Sequence, residues 1–271
     1  MPVLLEWYKH VAVLCVDMAS VPVGHPGHLD RDPVHLGVLR GLLHRCSRLM
    51  HSTLKLAQDP QCGGTVALLA RCIAESALNT QWLVQQVDND RFTRFIGHAV
   101  KADLTLRDPV EANVAERGGA RWAIEERMIR SIESVRAQAG ITESEAVAAK
   151  GLPNLRDMCR DLGYPHDVYV GVQRMGSHAV HGTWSDLLAH YVQQEEDGSF
   201  RLQDPSESAT HSGPLLLPTV LVLDSLRAHS TFLFGDSPHA GDHENDLVQV
   251  KEELRRASSL AGRDEFMPQS D

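Results

Sequence analysis

The chain has 271 residues, enough to bury a full core, as one large domain or two small ones, without help from disulfides or metal, and one domain with additions is expected. Acidic residues outnumber basic ones by 36 to 26, and the formal charge of −10 excludes broad electrostatic capture of nucleic acid or anionic membrane; an RNA site would have to be a local basic pocket. Aromatics are few at 5% while Ala, Leu and Arg are many, a mix that favours helices over sheets, and five scattered cysteines, never in a Cys-x-x-Cys pair, read as the reduced thiols of a cytoplasmic protein.

In chain order, Val3, Leu4, Trp7, Val11, Leu14, Cys15 and Met18 mark a first helix over 3–18. Its early residues carry Glu6, Lys9, His10 and Asp17 and no basic opening segment, so no secretory leader is expected. The next thirteen residues, VPVGHPGHLDRDP, contain three Pro and two Gly and predict a loop. His25 and His28 lie in it beside Asp30 and Asp32, as surface residues rather than metal ligands. A second helix spans 33–58 and bears a basic strip of Arg40, His44, Arg45, Arg48 and His51.

Residues 65–87 form the longest nearly apolar helix, as expected of the middle of a bundle. Arg71, Glu75 and Asn79 recur on it every four residues and so share one stripe. Set among Leu68, Leu69, Ile73, Leu78 and Trp82, that stripe is expected to be buried and therefore paired. An amphipathic stretch to Leu106 follows, then a long helix over 109–139 interrupted at Gly118-Gly119. Thr142 and Glu145 make a capping box for a short helix, and 154–162 gives another.

A helix is expected from Pro165 to Gly182, restarting at Ser185 and running to Gln194, before a polar loop with a short hairpin around Gly198. The apolar run from 214 to 235 contains Asp224, Arg227 and His229, so it reads as a buried helix with a kink at Pro218, not a membrane span. The expected architecture is all-α, a multi-helix bundle with long loops. It divides into an N-terminal helix and loop (1–32), a bundle core (33–235), and a linker, surface helix and mobile C-terminal tail (236–271).

The stretch YPHDVYVGVQRMGSHAVHGTW, residues 164–184, concentrates the chemistry. Residues three, four and seven apart share a helix face, so Arg174, Ser177, His178 and His181 can point the same way. A guanidinium is always cationic and an imidazole can take or give a proton near neutral pH. The partner expected across the bundle for this face is the Arg71/Glu75 stripe.

Arg71-x3-Glu75, then Asp90-Arg91-Phe92, Gly151-Leu152-Pro153-Asn154, and Tyr169 with Ser177, His178, His181 and Gly182, resemble the motifs of a bacterial all-helical family of unknown function, over roughly residues 35–190. Arg174 and His181, with six residues between them, also resemble the Arg/His motif of the HEPN helical ribonucleases. That resemblance implies a metal-independent endoribonuclease without cofactor, usually dimeric, in which Arg174 stabilises the phosphate and His181 transfers protons. Tyr169, Ser177 and His178 would position an RNA or nucleotide. Met175 departs from the polar residue usual after the Arg, and Arg45/His51, Arg91/His98 and Arg160/His166 also fall within the four to six intervening residues of that motif.

Two other readings stay open. One is a non-catalytic module that binds a protein partner, with Arg71, Glu75, His178 and His181 as a buried polar lock. The other is a metal site of Glu75, His178 and His181, disfavoured because a two-metal bundle would show a second Glu-x-x-His.

Overall fold

The apolar periodicity resolves, among the described residues of a computed structural model, into ten α-helices, a further helical stretch at 247–254 and one two-stranded sheet. The structure describes residues 2–86, 89–204, 213–235, 237, 247–254 and 256. The fold is all-α, as expected. The tail expected to be mobile, most of the linker before it and residues 205–212 of the polar loop lie outside the described residues.

The chain forms two compact units, one from residues 1–32, 36–85 and 155–271, the other from 33–35 and 86–154. The first holds α1 (Pro2–Ala19), most of α2 (Pro33–Leu56), α3 (Gly63–Gln85), and, from the second half of the chain, α7 (Leu155–Asp161), α8 (His166–His181), α9 (Trp184–His190) and α10 (Gly213–Phe234). Its centre is the pairing of α10 with α3. Leu215, Leu221 and Leu226 from α10 and Ile73, Leu78 and Trp82 from α3 are all buried. Such nearly all-round apolar helices bury on several sides at once, so α8 packs on α3, and α1 on α10. The loop after α1 is held to α10: Leu29 N–H donates to the Leu233 carbonyl at 2.8 Å and Arg31 Nε to that of Phe232 at 2.8 Å.

The second unit holds α4 (Asn89–Glu116), α5 (Ala123–Gln138) and α6 (Glu143–Ala148). Val100, Leu104, Ala139 and Ala146 form its core, with Ile96 and Ile141 packed against them. The break between α4 and α5 falls at Gly118 and Gly119, whose φ values of +74° and +87° suit glycine. The Thr142/Glu145 capping box that starts α6 is present as expected.

Two expectations differ. Helix α4 runs unbroken through Pro109, where the sequence reading starts a new helix. The helix expected to run to Gln194 stops at His190, and the chain turns into β1 (Val192–Gln194), antiparallel to β2 (Phe200–Leu202) with Val192 opposite Leu202. The Gly198 turn, with φ +84°, brings back a strand whose ladder bonds displace the last helical turn. No helix among the described residues is long and apolar enough to cross a membrane.

Candidate functional site

The start of α8 is fixed by the Tyr164 hydroxyl, which lies 2.8 Å from Gln81 Oε1 on α3 and 2.9 Å from Asp224 Oδ2 on α10. Gln81 Nε2 donates to the Leu221 carbonyl at 3.0 Å, and Lys251 Nζ pairs with Asp224 Oδ1 at 2.8 Å. Burial, reinforced by the Asp224 carboxylate, raises the Tyr164 pKa far above its ordinary range, so the hydroxyl stays a donor. The turn ahead of α8 is thereby tied to both central helices.

The face that α8 turns towards α3 is carried by Gly176. A Cβ built there would lie 2.5 Å from Arg71 Cδ and 2.6 Å from Arg71 Cβ. Only a glycine admits this approach, because ordinary carbon contacts are about 3.5–4.0 Å. Val168 and Val172, eight and four residues earlier, are buried on the same side. Gly171 faces α10, where its Cβ would meet Leu217 Cδ2 at 2.9 Å.

Arg174, His178 and His181 lie on the other side. At about 100° per residue, they are turned roughly 140–200° from Gly176, and all three are exposed. The helices expected to meet do meet, but the stripe of imidazoles faces solvent rather than α3. Neither histidine hydrogen-bonds Glu75 among the described residues, so the polar lock of Arg71, Glu75, His178 and His181 does not form. Arg71 Nε instead donates to Glu75 Oε1 at 2.9 Å, with side chains 24% and 42% exposed. The pair is half-buried rather than enclosed, and solvent at the carboxylate removes the need for a second partner. Asn79, two turns on from Arg71, is half-buried, as are Tyr169 and Ser177. Tyr169 lies with its ring 5.6 Å from that of His166. Among the described residues no group of three His, Cys, Asp or Glu side chains gathers as metal ligands would, so Glu75, His178 and His181 form no such set.

The end of α8 gives the stripe its shape. Gly182 adopts φ +54° and ψ 45°, and its N–H and that of Thr183 both donate to the His178 carbonyl, the latter at 3.1 Å. The returning chain places Thr183 Oγ1 2.9 Å from His178 Nδ1. That bond orients one imidazole and leaves its Nε2 side to solvent. His181 and Arg174 have no hydrogen bond or ion pair among the described residues. Sequence reasoning missed Gly176 and Thr183; a mid-helix glycine with no capping role and a threonine directly after a helix-ending glycine were the signals present.

An exposed guanidinium and two imidazoles on one face, with no carboxylate partner among the described residues, make a surface suited to an anion. The class defined so far is an all-helical protein with an exposed face of one guanidinium and two imidazoles at the end of one helix. The chain belongs to a family of unknown function (DUF5677), which it matches over residues 36–200, a span that contains α8, α9 and the first strand. No curated protein and no solved structure matches it.

Proposed function

We propose that the protein is a metal-independent phosphodiesterase of the HEPN kind acting on RNA or a nucleotide. The observation that carries this reading is the exposed line of Arg174, His178 and His181, in which the cation has no carboxylate to neutralise it and one imidazole is oriented by Thr183. Successive members are four and three residues apart, so neighbouring Cβ atoms are about 5–6 Å from one another. A phosphodiester seated on this line contacts all three.

Cleavage then needs only a base, an acid and a charge. One imidazole removes the proton of the ribose 2′-hydroxyl as its oxygen bonds to phosphorus. The bond from phosphorus to the 5′-oxygen breaks, and the other imidazole, as imidazolium, gives that oxygen its proton. Arg174 stabilises the charge that builds on the non-bridging oxygens. His181 and His178 share the proton transfers, and Ser177, at the edge of the line, positions the substrate. Arg71 acts at a distance, its stem filling the space over Gly176 and so fixing where α8 lies. Five free cysteines, three of them buried, support a reducing compartment, the cytoplasm.

The test is the nature of the ends produced. In EDTA, the protein should cut an RNA oligonucleotide to leave 2′,3′-cyclic phosphate ends and spare the same strand with 2′-deoxyribose throughout. Cleavage of both strands, or of neither, would refute the reading.

A further inference from the structure

Beyond the stripe, α8 leads directly into an aromatic surface. Trp184, three residues after His181, is 56% exposed, and its ring meets that of Phe200 edge to face at 5.3 Å and 74°. Phe200, 47% exposed, comes from β2, opposite Gln194. Two large rings held against each other in solvent have no reason to be there for the core. Val180, at 58% exposure, lies on the last turn of α8 beside them in sequence.

We infer that Trp184 and Phe200 form a stacking subsite for a nucleobase of single-stranded RNA, adjoining the phosphate-directed line of Arg174, His178 and His181. The inference rests on the proposed phosphodiesterase reading and names its substrate as unpaired. The argument is one of charge and shape together. An aromatic platform alone would suit a protein partner equally well. Here it begins one residue after Thr183, the residue that hydrogen-bonds His178, and its neighbours on α8 are a guanidinium and two imidazoles with no carboxylate partner among the described residues. A nucleotide offers a flat apolar ring and an anion within one unit, and so matches both halves. A base paired in a duplex has its faces covered and cannot use the platform. The left-handed turn at Gly182 sets the platform at an angle to α8.

Of the acidic side chains near it in sequence, Asp186 on α9 is buried and Glu196 in the hairpin turn is exposed. Glu195 in the hairpin turn is paired with Arg201 at 2.6 Å, and Asp197 is engaged with the Ser199 amide at 2.8 Å.

The experiment measures binding by the full chain of two probes at low salt: a ten-nucleotide 2′-O-methyl RNA, which cannot be cut by 2′-hydroxyl attack, and an abasic strand with the same backbone. The wild type should prefer the base-bearing strand by about fivefold or more, the lower end of what stacking on one aromatic ring contributes. Trp184→Ala should abolish that preference and Trp184→Phe should keep it, with Phe200→Leu weakening it; circular dichroism confirms that each variant is folded. Arg174→Ala should weaken both probes alike. Equal binding of the two probes, binding of neither, or an undiminished preference in Trp184→Ala overturns the inference. So does a wild-type dimer that Trp184→Ala dissociates while no probe binds, since the platform would then be covered by a second copy. Base preference without any RNA cleavage would instead leave the stacking subsite standing and remove the catalytic reading.

Discussion

Replacing Gly176 by Ala tests the crossing of α3 and α8 on which the position of the whole site depends. The new methyl carbon would sit 2.6 Å from Arg71 Cβ, roughly 1 Å inside ordinary contact. Arg71 Cδ can swing aside, but Cβ is fixed to the α3 backbone, so the two helices must part. Such overpacking costs about 1–3 kcal/mol. Against it stands the intrinsic preference of a helix for Ala over Gly, about 1 kcal/mol. The same change at Gly41, a helical glycine of α2 with no atom within 4 Å of its would-be Cβ, carries the propensity gain alone. Urea unfolding followed by far-ultraviolet circular dichroism, at constant m, should therefore show Gly41→Ala as stabilising. Gly176→Ala should lie about 1–3 kcal/mol below it. If the two variants are equally stable, the close approach does not exist and the orientation of the Arg174 stripe is wrong.

Three further outcomes follow from the same structure. His229 is fully buried on α10, and burial, with the charge of Arg40 behind it, pulls its pKa from 6.5 down to about 4. The folded state thus resists protonation: its contribution to stability is whole above pH 6.5 and drains away as pH falls through 4, by about 3 kcal/mol at 1.36 kcal/mol per unit. Unfolding measured across that window should show the loss, and His229→Leu should flatten it. Tyr164→Phe removes the hydroxyl shared by Gln81 and Asp224 and should cost about 1–3 kcal/mol in the same assay, since the buried Gln81 amide oxygen loses its donor. Glu75→Ala should cost no more than about 1 kcal/mol, because the ion pair with Arg71 is reached by solvent; a loss of 3–5 kcal/mol would mean the carboxylate is enclosed after all.

Much of the architecture can be read from periodicity because apolar spacing reports which residues share a face. The stripes of α3 and α8 are visible in that way, and the Gly118-Gly119 break and the Thr142 cap from their turn and capping residues. Periodicity does not report which neighbour a face will meet. Arg174, His178 and His181 do share a face, yet Gly176 decides the contact with α3, and a residue without a side chain adds nothing to a hydrophobic pattern. Arg71 and Glu75 mislead for a related reason: they stand among apolar residues, but on a stripe that reaches the edge of the packed surface. The hairpin around Gly198 is legible from its turn, but the extent of β1 and β2 is not, because strands of three residues are too short to show alternation. Here the end of α9 is set by pairing across Gly198 rather than by any helix-stopping residue.

The claim at the centre of this account is that the exposed line on α8 performs the chemistry. Its most direct measurement is the initial rate of cleavage of a labelled single-stranded RNA in EDTA by the wild type, His181→Ala and Arg174→Ala. The account predicts cutting by the wild type and a loss of about 100-fold or more in each variant, the scale of a missing general acid–base or charge-stabilising group. Full activity in either variant would contradict it.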